Sequence, residues 1–185
     1  MGTRLTRSEA VLPSRLNPSW RTVALALGRI ALGAYWLWEQ HWKLPPEFGI
    51  HDPRGLMFSF QSSIEHPTLG VYRTFLQELV VPNFYLFGWL VFVSETLIGL
   101  SLTLGLFTRA GALLGTLQSI NLLVAQGATE EGPWLYLGLV AANLAALLTP
   151  SNHQLSLDRR LAPKVRASTA GSGSVGRALR WMVGA

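Results

Sequence analysis

Apolar residues gather into four blocks along the chain, at 20–38, 84–107, 110–125 and 134–148, separated by stretches rich in charge, proline or glycine. A helix needs about 17 to 25 mostly apolar residues to cross ~30 Å of hydrocarbon; the first two blocks meet that length and the last two lie at its short end. Two such blocks can form the core of a soluble domain, but four cannot be buried by the ~100 residues left over. The pattern therefore predicts an all-α fold, an integral membrane four-helix bundle with spans at about 20–40, 84–107, 110–126 and 134–149.

The polar stretches divide the rest of the chain. Residues 1–19 read as a cytoplasmic N-terminal segment, 20–150 as the transmembrane domain and 151–185 as a basic cytoplasmic tail. In the loop 44–83, the residues Leu69, Tyr72, Phe75, Leu76, Leu79 and Val80 recur at spacings of three to four, with Arg73, Gln77 and Glu78 on the other side. This spacing predicts an amphipathic helix lying on the outer leaflet or capping the bundle. Upstream of it, Pro45, Pro46, Pro53 and Gly55 interrupt any regular run. Within the tail, 167–176 is rich in Ser and Gly and reads as a linker, followed at 177–182 by a segment able to touch the inner membrane surface.

Charge orients the spans. Arg4, Arg7, Arg15, Arg21, Arg109, Arg159, Arg160, Lys164, Arg166, Arg177 and Arg180 fall on one side, against Lys43, Arg54 and Arg73 on the other. This division of eleven to three places both termini in the cytoplasm and the loop 44–83 outside, in a multi-pass protein of a bacterial-type inner (cytoplasmic) membrane. Glu130 and Glu131 then lie outside as well. The first block follows a polar basic stretch and lacks a small-residue cleavage site, so it is expected to stay as an anchor. Trp36, Trp38, Trp42, Tyr85, Trp89, Trp134 and Tyr136 sit where span ends meet the headgroups.

Composition agrees: of 185 residues, 49% are hydrophobic and 14% charged, with a mean hydropathy of +0.30. The net charge of +5 does not point to nucleic acid, because the cations flank the apolar blocks. Cysteine is absent, which excludes disulfides, thiolate zinc sites and iron–sulfur clusters within this polypeptide. His41, His51, His66 and His153 all fall outside the apolar blocks and show no metal-ligand spacing, so neither haem nor metal is expected. His41 groups with Glu39, Gln40 and Lys43 in a polar cluster at the outer end of the first span, where juxtamembrane solvation or proton exchange with a lipid-soluble substrate are the two readings.

Polar residues inside the spans need partners. Arg29 and Glu95 each cost at least ~2.5 to 3.5 kcal/mol at mid-bilayer. Counting from the cytoplasmic ends puts them ~12 and ~16 Å deep, so an Arg29–Glu95 pair is the economical expectation. Gln118, Asn121 and Asn143 fall at a similar level and form the expected polar core, read first as interhelical glue. The spacings Gly111/Gly115, Gly138/Ala142/Ala146 and Ala24/Gly28 suit close helix packing.

These residues carry a resemblance. Gly28-Arg29-Ile30-Ala31-Leu32-Gly33 followed by Trp36 and Lys43, and Ser94-Glu95-Thr96-Leu97-Ile98-Gly99 running into Leu104-Gly105-Leu106-Phe107-Thr108-Arg109, resemble the DoxX and DoxD-like membrane proteins over 21–150, apart from an enlarged outer loop. The resemblance implies that Arg29, Glu95 and Arg109 are family positions in a four-helix membrane subunit, in some members part of a thiosulfate:quinone oxidoreductase. Arg29 and Glu95 are then the catalytic candidates, and Trp36, His41 and Lys43 the candidates for binding a quinone or anion. Arg29 or Lys43 would attract an anionic donor such as thiosulfate. Electron transfer usually needs a flavin, haem or metal centre, and the chain has no recognisable site for one. A quinone must then react directly, as substrate, or another subunit must bring the cofactor. The alternative is a non-catalytic accessory subunit packed against a larger membrane-embedded respiratory or photosynthetic complex. The expected partners are the lipid bilayer and other membrane subunits. A transporter is the weaker third option, since neither broken helices nor an inverted repeat is visible.

Overall fold

The computed structural model describes residues 20–129, 132–149, 155–169 and 173–184; the N-terminal segment, Glu130, Glu131 and His153 lie outside the described residues. Among the described residues the fold is all-helical, with no strand. The elements in chain order are α1 (Trp20–Trp38), α2 (Leu56–Glu65), α3 (Gly70–Phe75) continued by a π-helical turn (Leu76–Val80), α4 (Phe84–Leu104), α5 (Thr108–Gln126), α6 (Pro133–Leu148), α7 (Asp158–Ser168) and α8 (Ser174–Met182).

The four apolar blocks become α1, α4, α5 and α6. Each packs on the next, and α6 returns to α1. The expected ends shift slightly: α4 stops at Leu104 rather than 107, and α5 begins at Thr108. The reason is local. Gly105 and Phe107 both adopt left-handed backbone, at φ 66° and φ 50°, and turn the chain back within three residues. α6 starts with Pro133 in its first turn, where a missing N–H costs nothing.

The expected loop helix is present as α3 and the π-helical turn. Two further helices lie where no regular structure was expected, α2 after the proline-rich stretch and α7 in the tail. The linker read at 167–176 is correspondingly shorter, since α7 runs through Ser168 and α8 begins at Ser174.

Of the described helices one, α4, is long and apolar enough to cross a membrane, while α6 is apolar but shorter. α1 and α5, at 19 residues each, fall short because Arg21 and Arg29 lower the hydropathy of one and Arg109, Gln118, Asn121 and Gln126 that of the other.

Apolar cores form around Trp36, Ile98, Leu102 and Ala112 and around Phe48, Leu56 and Phe84, yet many apolar residues face outward and several charged or polar ones are buried. On α4, Leu86, Leu90, Val93, Leu97, Leu100 and Leu104 are all exposed, at spacings of three and four that draw one stripe along the whole helix. The opposite face buries Gly88, Glu95, Ile98, Gly99 and Leu102. Leu25, Leu27, Leu117, Ile120, Leu135 and Leu148 are likewise exposed, whereas Arg29, Gln40, Lys43, Glu95, Ser119 and Asn143 are buried.

Small residues hold α1 against α4. A Cβ on Gly33 would lie 2.5 Å from the backbone N of Thr103 and 2.8 Å from the carbonyl O of Gly99, so only glycine permits this approach. Gly111 faces Ser101, and Gly115 faces Asn143. In the other two expected stripes, Gly28 and Gly138 meet open space and Ala24 and Ala142 are exposed, while Ala146 packs against the core around Trp36, Ile98, Leu102 and Ala112.

Candidate functional site: a buried ion pair facing a cavity

Glu95 lies in the middle of α4 and is 1% exposed. Its partner is Lys43. The turns after α1 bring the chain back over α4, and Gln40 fixes them by donating from Nε2 to the Phe92 carbonyl at 2.8 Å and to Thr96 Oγ1 at 3.0 Å. Lys43 follows three residues later, also buried. Its Nζ lies 2.7 Å from both carboxylate oxygens of Glu95, donating a hydrogen bond to Oε1. The ammonium also sits 4.5 Å from the centre of the Trp42 ring, a favourable placement against the negative face of an indole.

The expected Arg29–Glu95 pair is therefore corrected. Arg29 donates from Nη1 to the Leu102 carbonyl and from Nη2 to the Leu155 carbonyl, the latter at 2.8 Å. The error lay in equating depths counted from the two helix ends. Gly33 lies against Gly99 and Thr103, and Gln40 against Phe92 and Thr96. This register moves Arg29 ~7 residues, or ~10 Å, towards the C-terminal end of α4 relative to equal-depth counting. There it meets a carbonyl of the last turn, which has no intrahelical partner and carries the negative end of the helix dipole.

The same end of the molecule holds a second buried constellation that sequence reasoning missed. The Asp158 carboxylate accepts the backbone N–H of Phe107 through Oδ1 and that of Thr108 through Oδ2, both at 2.8 Å. It thus caps the N-terminus of α5 from 50 residues away in sequence. Its own N–H donates to the Gly105 carbonyl at 2.9 Å, and Ser156 Oγ donates to the same carbonyl at 2.7 Å. Asp158 also attracts the Arg29 guanidinium. The Gly105–Arg109 turn, singled out in the sequence, is where the tail is fastened.

Lys43 and Glu95 line a cavity of about 670 Å³ that α2, α5, α6 and the end of α1 complete. Trp36, His41, Gln118 and Asn121 line it too, so the structure brings together most of the candidates named from sequence. Arg29 and Asn143 are not among its lining residues. Asn143 is fully buried elsewhere, donating to Ser119 Oγ at 3.2 Å and to the Leu139 carbonyl at 2.9 Å. His41 is exposed, its Nδ1 2.7 Å from the Trp38 carbonyl.

Two polar atoms of this lining lack hydrogen-bond partners: Trp36 Nε1, buried without an acceptor, and Glu95 Oε2, which accepts no hydrogen bond of its own. The cover over the cavity is tied down by Tyr72, whose hydroxyl donates to Asn121 Oδ1 at 3.0 Å. Burial holds the Tyr72 phenol above its ordinary range, with the Asn121 hydrogen bond pulling the other way. Among the described residues, no three or more His, Cys, Asp or Glu side chains group as metal ligands would.

In this helical fold a buried ion pair lines a cavity of mixed polar and apolar character, and the longest apolar helix exposes a leucine-rich stripe. The chain belongs to the DoxD family: the family model described as "TQO small subunit DoxD" matches residues 29–173, a span that includes Arg29, Lys43, Glu95 and Asp158. Neither the curated proteins nor the solved structures give a match.

Proposed function

We propose that this chain is the membrane-embedded, cofactor-free small subunit of an oxidoreductase of the thiosulfate:quinone type, and that the Lys43–Glu95 cavity is its quinone site. The observation that carries the reading is the buried Lys43–Glu95 pair facing a cavity among exposed apolar helices. The family description, a small subunit, supports the first half. The exposed leucine stripe of α4 supports four spans with α1, α4, α5 and α6 in lipid, because lipid is the solvent that such a face prefers. Both termini are then cytoplasmic and 44–83 extracytoplasmic, as the basic residues imply.

The cavity's volume lies within the ~300 to 1,000 Å³ common for small-molecule sites. The Lys43 ammonium has three N–H donors, of which Glu95 takes one, and a quinone carbonyl oxygen in the cavity accepts another. Trp36 Nε1 offers a further donor. Reduction of a quinone to the quinol takes up two electrons and two protons. Two thiosulfate ions, joined through a new S–S bond on a partner subunit, release the two electrons; the Lys43–Glu95 pair holds one proton at the site and water supplies the other.

The test uses the intact complex purified from its native membrane in mild detergent. Replacing both partners, Lys43→Met with Glu95→Leu, removes the chemistry while leaving no unpaired buried charge. The expected result is a complex that assembles but no longer reduces quinone with thiosulfate. Wild-type turnover in the double variant would refute the site and leave the chain as a non-catalytic accessory subunit.

A further inference from the structure

The tail helices are built the wrong way round for water. On α8, Val175, Ala178, Leu179 and Met182 follow the spacing i, i+3, i+4, i+7 and so share one face. Val175 is 71% exposed, and Leu179 and the nearby Trp181 are exposed as well. The side turned inward carries Gly176, Val183 and the cation Arg180, which donates to the Thr169 carbonyl at 2.8 Å and to Thr169 Oγ1 at 2.9 Å. An apolar stripe is thus presented outward while an arginine of the same helix is used to hold it in place.

α7 supplies the complementary charge. Arg159, Arg160, Lys164 and Arg166 are all exposed, as is Arg177 on α8. The one acidic residue between 155 and 184 is Asp158, which is buried on the N-terminus of α5. The two helices are not a loose appendage: Asp158 pins the start of α7 to the α4–α5 turn, and α8 packs on both α5 and α7. They therefore sit at the level where the apolar helices α4 and α5 end and begin.

From this arrangement we propose that α7 and α8 form a docking platform for anionic phospholipid headgroups, with the Val175–Leu179 face of α8 immersed in the leaflet and the cations of α7 set against the phosphates. An amphipathic helix with an exposed apolar face and adjacent Lys and Arg partitions into such an interface, and its attraction to anionic lipid is screened by salt. The proposal rests on the membrane-embedded reading of the bundle but concerns a different surface, so the two can fail separately.

Because the chain has no cysteine, a single one labels cleanly. Full-length Leu179→Cys carrying an environment-sensitive fluorophore is reconstituted into vesicles of phosphatidylcholine, with or without phosphatidylglycerol. Leu97→Cys, on the exposed stripe of α4, serves as reference. With phosphatidylglycerol present, the probe at 179 shifts to the blue, is quenched by nitroxide lipid and is protected from aqueous iodide. Raised salt, or charge reversal by Arg159→Glu with Lys164→Glu, abolishes the gain over phosphatidylcholine alone. A probe at 179 that stays open to iodide in both lipids overturns the proposal. So does one shielded from both quenchers, which means that protein covers this face, and so does equal lipid contact in both vesicles. If the probe at 97 is also open to iodide, the membrane-embedded reading falls as well; if it is lipid-protected, the platform alone is refuted.

Discussion

Removing one member of the Lys43–Glu95 pair is the most informative perturbation of this fold. Glu95 is 1% and Lys43 6% exposed, so either single replacement strands a charge where little water can reach it. Breaking a buried pair in this way costs about 3 to 5 kcal/mol, whereas replacing both partners by apolar residues of similar volume is close to neutral. The Trp42 ring only partly compensates a stranded Lys43, since a desolvated cation–π contact contributes on the order of 2 kcal/mol, and it is present with or without Glu95. At about 2 to 4 °C per kcal/mol for a chain of this size, Lys43→Met or Glu95→Leu alone lowers Tm by about 6 to 20 °C. The double variant should recover most of that loss. Thermal unfolding in mild detergent, followed by tryptophan fluorescence, completes the cycle. Additive losses from the two single changes would refute the reasoning. The Arg29→Leu, Glu95→Leu combination is the internal control and should be additive, because Arg29 engages backbone carbonyls near the end of α4 and not Glu95.

Asp158→Ala leaves the N–H groups of Phe107 and Thr108 without acceptors and should cost about 1 to 3 kcal/mol; Asp158→Asn, which keeps one oxygen, should cost less. Limited proteolysis at the α4–α5 turn reads the difference, and equal resistance in wild type and both variants would contradict the capping role. Gly33→Ala forces a methyl group onto backbone atoms of α4, while the methyl of Gly99→Ala meets the movable Leu37 side chain at 2.6 Å. The first should therefore lower Tm more than the second, within the ~1 to 3 kcal/mol typical of overpacking.

The positions of the long helices were legible from the length of the apolar blocks, with Pro133 marking the start of α6; the stop of α4 at Gly105, inside the second block, was not. Lys43, Glu95, Trp36, Gln118 and Asn121 were each recognisable as candidates, but in separate sets: Lys43 with His41 beyond the first span, Glu95 with Arg29, and Gln118 and Asn121 with Asn143. Their pairing was not legible. It depends on the α1–α4 register, which Gly33 and Gly99 set through close packing rather than through any property of the charges. Asp158 escaped notice because its carboxylate is spent on backbone amides of a distant turn, and no side-chain spacing advertises such a bond. A local signal for α7 did exist, in an acid at its first turn and Arg166 in its last, as the helix dipole favours. Leu56, Met57, Phe60 and Ile64 gave a comparable hint for α2.

The clasp between the tail and the α4–α5 turn sets a timetable for biosynthesis. Arg29 leaves the ribosome 73 residues before the carbonyl of Leu102 and 126 before that of Leu155. At about 5 to 20 residues per second, its guanidinium waits roughly 6 to 25 s for its last acceptor. The N-terminal amides of α5 wait 50 residues for Asp158. A nascent chain halted before position 155 therefore displays an arginine with one of its two carbonyl acceptors missing, and an open helix end. In this family member, residues 155–158 close contacts that Arg29 and the N-terminus of α5 leave open until then.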